Sequence, residues 1–126
     1  MERKYRLREP AGFQRTRQEG KCWSGRLIVL CVLHNDLGHS RFGFSASRRV
    51  GKATVRNRAR RRMREAVRAR RPTIAVGWDM VFIARPPMAQ ATYGEVVAAV
   101  GGLLSRAGVG LTAAEPDLSQ SAGSGR

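Results

Sequence analysis

Two short apolar runs, one alternating segment and two stretches of helical periodicity organise this chain. Leu27 to Leu33 reads L-I-V-L-C-V-L, and Met80 to Ala84 reads M-V-F-I-A after Trp78 and Asp79. Runs of this length, rich in branched residues and bounded by turn formers, predict buried strands. Arg41 to Ser47 alternates instead. Phe42, Phe44 and Ala46 fall on one side, and Arg41, Gly43, Ser45 and Ser47 on the other. That predicts a strand paired antiparallel with the first run across the Asn35-Asp36-Leu37-Gly38 turn. Its small polar face either leaves room for something to lie against the sheet or is ordinary exposed surface; the pattern is even between the two.

Three segments read as helices. Pro10 suits a first helical turn, and a short helix should run from there to about Glu19 and stop at Gly20. Phe13 is its apolar anchor, or else a platform for a stacked base, with the anchor favoured. From Ala53 or Thr54, residues Val55, Ala59, Met63, Ala66 and Val67 share one helical stripe, and Pro72 closes the segment. Asn57, Arg61, Arg64 and Arg68 lie opposite the stripe, Arg58, Arg60 and Arg62 flank it, and Arg56 falls within it, where its stem can reach past the edge of the core. The last helix should span about Tyr93 to Ala107. Thr92 and Glu95 form a capping box, and Val96, Val97, Val100, Leu103 and Leu104 make the buried face. The order is α-β-β-α-β-α, with a short strand near Cys22 to Arg26 left unresolved. The basic helix joins two strands, as a crossover between parallel neighbours does, and general sterics make such a crossover right-handed. One α/β domain over residues 1–112 is expected, with a disordered Ser/Gly/Ala-rich tail over 113–126.

Charge sharpens this outline. The 126 residues carry 24 Lys and Arg against 9 Asp and Glu, a net charge of +15. Half of those cations lie between Arg48 and Arg71, where Glu65 is the sole acid. Like charges on one helix repel, so a polyanion is the natural partner, and arginine forks match phosphate oxygens in pairs. Carboxylates are too few and too scattered for two-metal hydrolysis, and the histidines lack a nucleophile or orienting partner. No catalytic site is expected. His34, Asp36 and His39 read as a solvated turn, and Cys22 and Cys31, nine apart, as free thiols with Cys31 in a strand. Met1 to Arg8 is charged, and neither an apolar signal segment nor a membrane-length run follows, so a cytoplasmic location and no membrane partner are expected.

Ser45 to Glu65, S-A-S-R-R-V-G-K-A-T-V-R-N-R-A-R-R-R-M-R-E, resembles the signature of the bacterial ribonuclease P protein subunit, with Arg56-Asn57-Arg58 as its R-N-R core. Leu7 to Arg15, Arg41 to Ser45 and Asp79 to Pro86 add family-like pieces, and the order and spacing hold over roughly residues 5–107. The resemblance implies an α-β-β-β-α-β-α order, a small mixed sheet and a left-handed crossover, against the general rule. It implies a non-catalytic protein cofactor of an RNA-based endoribonuclease that removes the 5′ leader of precursor tRNA. The partners are then the catalytic RNA and precursor tRNA; Mg2+ serves the RNA subunit, and no organic cofactor is needed.

Carried onto this chain, the resemblance places Arg48, Arg49, Lys52, Arg56, Asn57, Arg58, Arg60, Arg61 and Arg62 against the catalytic RNA, with a hydrated Mg2+ near Asn57 as an option. It places Phe13, Arg17, Ser45, Ser47 and Tyr93 at a cleft for the single-stranded leader. Two positions depart from the family: Arg17 and Cys31 stand where aromatics are common. Phosphate attraction should therefore count for more in leader contact, and stacking for less. The other readings are a ribosomal-type or general structured-RNA-binding protein and, behind it, a DNA-binding protein.

Overall fold

Four strands form one mixed sheet in the order β1-β2-β4-β3. The structure, a computed structural model, describes residues 1–110; the expected tail and the last two residues of the expected domain lie outside them. The elements are α1 (Pro10–Glu19), β1 (Lys21–Ser24), β2 (Ile28–His34), β3 (Arg41–Ala46), α2 (Ala53–Arg70), β4 (Trp78–Ala84) and α3 (Tyr93–Ala107). The unresolved strand is therefore real, and the order is α-β-β-β-α-β-α. Both α2 and α3 begin where periodicity and caps placed them. At α3, the Thr92 hydroxyl accepts from the Glu95 amide while Glu95 Oε1 accepts from the Thr92 amide.

The pairing differs from expectation in one respect. β2 does not pair with β3; β4 lies between them, antiparallel to β2 and parallel to β3. The cause is burial. Asp79, Met80, Val81 and Phe82 are all buried, so β4 needs cover on both faces and takes an interior place in the sheet. The half-polar β3 is left at an edge, joined to β4 through α2 as a crossover between parallel neighbours.

Alternation then assigns the two faces. Ile28, Leu30 and Val32 of β2, Phe42 and Ala46 of β3, and Met80, Phe82 and Ala84 of β4 meet Met63 and Val67 of α2 and Val96, Val100, Leu103 and Leu104 of α3 in one core. The opposite face carries Val29, Cys31 and Leu33, Arg41, Gly43 and Ser45, and Asp79, Val81 and Ile83. Among the described residues, the short α1 lies across it, with Leu7 against its β3 edge. Phe13 rests on Gly43, Arg15 reaches Asp79, and Gly20 abuts Val32.

The cysteines correct the reading of free thiols. Cys22 and Cys31 are register partners of the β1–β2 hairpin and form a disulfide. Their spacing fits no metal motif, but a tight turn folds the chain between them back so that the two face each other.

Candidate nucleic-acid interface

The basic helix is held by its apolar stripe: Ala59, Met63, Ala66 and Val67 are buried. Its cations sort into two groups. Arg58 Nη2 donates to the Ala89 carbonyl at 3.1 Å and Arg62 Nη1 to the Ala91 carbonyl at 2.6 Å, so both clamp the segment between β4 and α3. Arg60 donates to the Asn57 side-chain oxygen and, at 3.5 Å, to the Ala46 carbonyl. Arg68 is paired with Glu65 at 2.7 Å. Arg85 and Arg106 hold the Gly25 and Ser24 carbonyls in the same manner. In contrast, Arg48, Arg49, Lys52 and Arg61 are exposed and bond no other described side chain or carbonyl. Arg56 is half-buried, its Nε without a hydrogen-bond partner among the described residues.

The β3–α2 connection aims the first three of these cations. Val50 and Gly51 amides return to the Ser47 and Arg48 carbonyls in a tight turn. Gly51 has φ +154, and a Cβ there would come within 3.0 Å of the Val55 side chain. Arg48, Arg49 and Lys52 therefore lie beside the start of α2, and Arg61 is exposed further along the same helix.

The open face divides around α1. On one side Phe13 covers Gly43 so closely that an added Cβ would lie 2.6 Å from its Cζ. Beside it is a pocket of about 220 Å³ that Arg6, Arg8, Arg60 and Arg64 make positive. Burial lowers the pKa of Arg64, and repulsion from Arg6, Arg60 and Arg61 lowers it further, against the pull of Glu65. On the other side is a cleft of about 470 Å³, with Gln14, Arg17 and Gln18 of α1 as its wall and Cys22, Val29, Cys31 and Ile83 as its floor. Gln14, Arg17 and Gln18 share one helical face at i, i+3 and i+4.

The residues expected at a leader cleft are thus only partly brought together. Arg17 lines the large cleft. Ser45 is half-buried on the same face, in register with Ile83. Phe13 lines the arginine pocket instead. Ser47 is exposed beyond the strand end, its hydroxyl accepting from the Arg49 amide at 3.3 Å. Tyr93 opens α3, on the far face of the sheet. Sequence reasoning missed Gln14 and Gln18 on the wall, and Arg6 and Arg8, which extend the positive surface. The spacing of the two glutamines from Arg17 carried that signal.

Asp79 anchors this arrangement from below. It is 1% exposed and accepts from Arg41 at 2.9 and 2.7 Å and from Asn35 at 2.9 Å, with Arg15 at 3.7 Å. Burial pushes its pKa up, but the hydrogen bonds from Arg41 and Asn35 and the charges of Arg41 and Arg15 outweigh that and hold it below its ordinary value. A depressed carboxylate contributes stability above its unfolded pKa of about 3.9, and that contribution is lost as pH falls through the folded value. Asp79→Asn is therefore expected to lose about 2–4 kcal/mol at pH 7 and to flatten the decline between pH 5 and 3. Thermal melts across that range check both; equal melting curves at pH 7 would contradict the role of this network.

A family model described as Ribonuclease P matches residues 1–108. The chain belongs to the ribonuclease P protein family. The ribonuclease P protein component of Roseiflexus castenholzii is 48% identical over 120 residues, covering 93% of this chain and 98% of the relative. The solved ribonuclease P protein of Staphylococcus aureus superposes with TM-score 0.77 at 30% identity, over 83% of this chain and 96% of that one. That of Thermotoga maritima gives 0.73 at 31% identity, over 80% and 96%. Against the family's implied metal, the surroundings of Asn57 do not fit a protein-held cation. Its amide oxygen is taken by the Arg60 guanidinium, the acid on the helix is paired with Arg68, and no group of three metal-ligating side chains occurs among the described residues.

Proposed function

We propose that this ribonuclease P protein is the non-catalytic subunit of an RNA-based endoribonuclease, acting in the cytoplasm on precursor tRNA. The catalytic RNA supplies the Mg2+-dependent cleavage. Arg48, Arg49, Lys52, Arg56 and Arg61 contact that RNA, with the spare donors of Arg58, Arg60 and Arg62 and the Asn57 side chain adding to the surface. The 5′ leader runs through the cleft under α1, past Arg17 and Ser45, with Phe13 and the arginine pocket at its margin. One observation carries this reading: Arg48, Arg49, Lys52 and Arg61 are exposed and without a partner among the described residues, while a separate cleft of about 470 Å³ lies open beneath α1.

Two physical effects follow. Guanidinium groups between two polyanions lower their mutual repulsion, which matters most when Mg2+ is scarce. The cleft gives precursor a contact that mature tRNA lacks, so substrate is favoured over product. Precursor cleavage by a cognate catalytic RNA, with and without this protein, tests the assignment. At limiting Mg2+ the protein is expected to raise the cleavage rate at least tenfold; equal rates with and without it would refute the assignment and return the chain to the general RNA binders.

A further inference from the structure

The cleft wall and floor differ in chemistry. Among its lining residues Arg17 is the one charged group and none is aromatic. Gln14 and Gln18 flank Arg17 with amides that can donate to and accept from base edges. The floor is aliphatic and sulfur: Val29 and Ile83 beside the Cys22–Cys31 disulfide. Sulfur against an aromatic ring is a favourable, polarisable contact. This bond also joins strands of unequal security. Cys31 is buried in β2, whereas β1 is a four-residue edge strand with Lys21, Cys22 and Ser24 exposed.

We propose that the Cys22–Cys31 disulfide is the surface on which a leader base rests, and that its redox state sets the affinity for precursor tRNA. The inference rests on the leader reading of the cleft. Phosphate meets Arg17, the base lies on the sulfurs, and the bond keeps Cys22 level with Cys31. A dithiol reductant breaks it by attacking the exposed side, at Cys22 sulfur, and expelling the Cys31 thiolate. A second attack closes the reductant into its own disulfide, leaving two protein thiols; two electrons and two protons are transferred. Solvent-reachable disulfides are the labile ones, and a reducing cytoplasm would open this one. β1 is then held by its backbone pairing, by Trp23 and by the Arg106 bond to the Ser24 carbonyl, and the floor loses the covalent tie that keeps Cys22 level with Cys31.

The test uses the full-length chain assembled with a cognate catalytic RNA. Affinities for precursor and mature tRNA are measured with oxidised protein, with protein reduced by dithiothreitol, and with Cys22→Ser/Cys31→Ser, whose fold is checked by circular dichroism. Reduction is expected to weaken precursor binding about three- to tenfold and to leave mature tRNA unchanged, with reoxidation restoring the difference. The double variant should sit at the reduced level under both conditions; if it is unfolded, the reduced and oxidised wild-type arms decide. A precursor preference equal in both redox states overturns the inference while the leader reading stands. No precursor preference in either state overturns both. Failure of the pair to oxidise in a glutathione redox buffer, read by thiol alkylation, also overturns the inference.

Discussion

Replacing Arg48, Arg49, Lys52 and Arg61 together by alanine is expected to weaken binding of the catalytic RNA by about two orders of magnitude without unfolding the protein. Each is exposed and bonds no described partner, so each is free to neutralise a phosphate. Removing four such contacts should lower the slope of log affinity against log salt by about three to four. The melting temperature should stay within about 3 °C or rise, because like charges are being removed. Arg58→Ala with Arg62→Ala should behave differently. It leaves the Ala89 and Ala91 carbonyls without their donors, at a cost of about 1–3 kcal/mol, and destabilises the β4–α3 connection. Filter binding across a salt series, beside thermal melts, separates the two sets. An unchanged salt slope in the quadruple variant would contradict the interface.

Gly20→Ala should be among the most damaging single substitutions in the chain. A Cβ at Gly20 would overlap the Val32 carbonyl oxygen and lie 2.5 Å from that of Thr16. Both obstacles are backbone, so neither can swing away. Either α1 lifts from β2 or the strand bends, for about 2–4 kcal/mol. Because α1 supplies the wall of the cleft, lifting it also removes Arg17 from the floor. The variant should show a lower denaturant midpoint and a reduced preference for precursor over mature tRNA. A midpoint equal to wild type would mean that α1 does not dock here.

Much of this was legible in the sequence, and the failures have physical causes. Periodicity located α2, α3 and strands β2, β3 and β4 because burial is written into residue spacing, and it left the short, exposed β1 unresolved. It did not identify strand neighbours: the alternation in β3 is the same whether its partner runs parallel or antiparallel, and what excludes β2 is the demand of β4 for cover on both faces. The disulfide was invisible for a related reason. Cys22 and Cys31 meet only through the hairpin register, which the turn at Arg26 and Leu27 sets. Charge counting revealed a polyanion surface but could not separate clamping arginines from free ones, because the partners of Arg58 and Arg62 are carbonyls some thirty residues further on. The signature resemblance supplied the leader set as residues rather than as a surface. The structure places Arg17 at the cleft, Ser45 on the same sheet face beside Ile83, Phe13 at the arginine pocket and Tyr93 on the far face.

The central claim is that one small protein holds a catalytic RNA on its exposed cations while the cleft beneath α1 takes an unpaired strand. Its most direct test is the ratio of precursor to mature tRNA affinity as the leader is lengthened, measured for the catalytic RNA alone and with this protein bound. The ratio should climb with the protein present once the leader is long enough to reach Arg17, then level off, and should stay flat with the RNA alone. Identical ratios at every leader length, with and without the protein, would contradict the account.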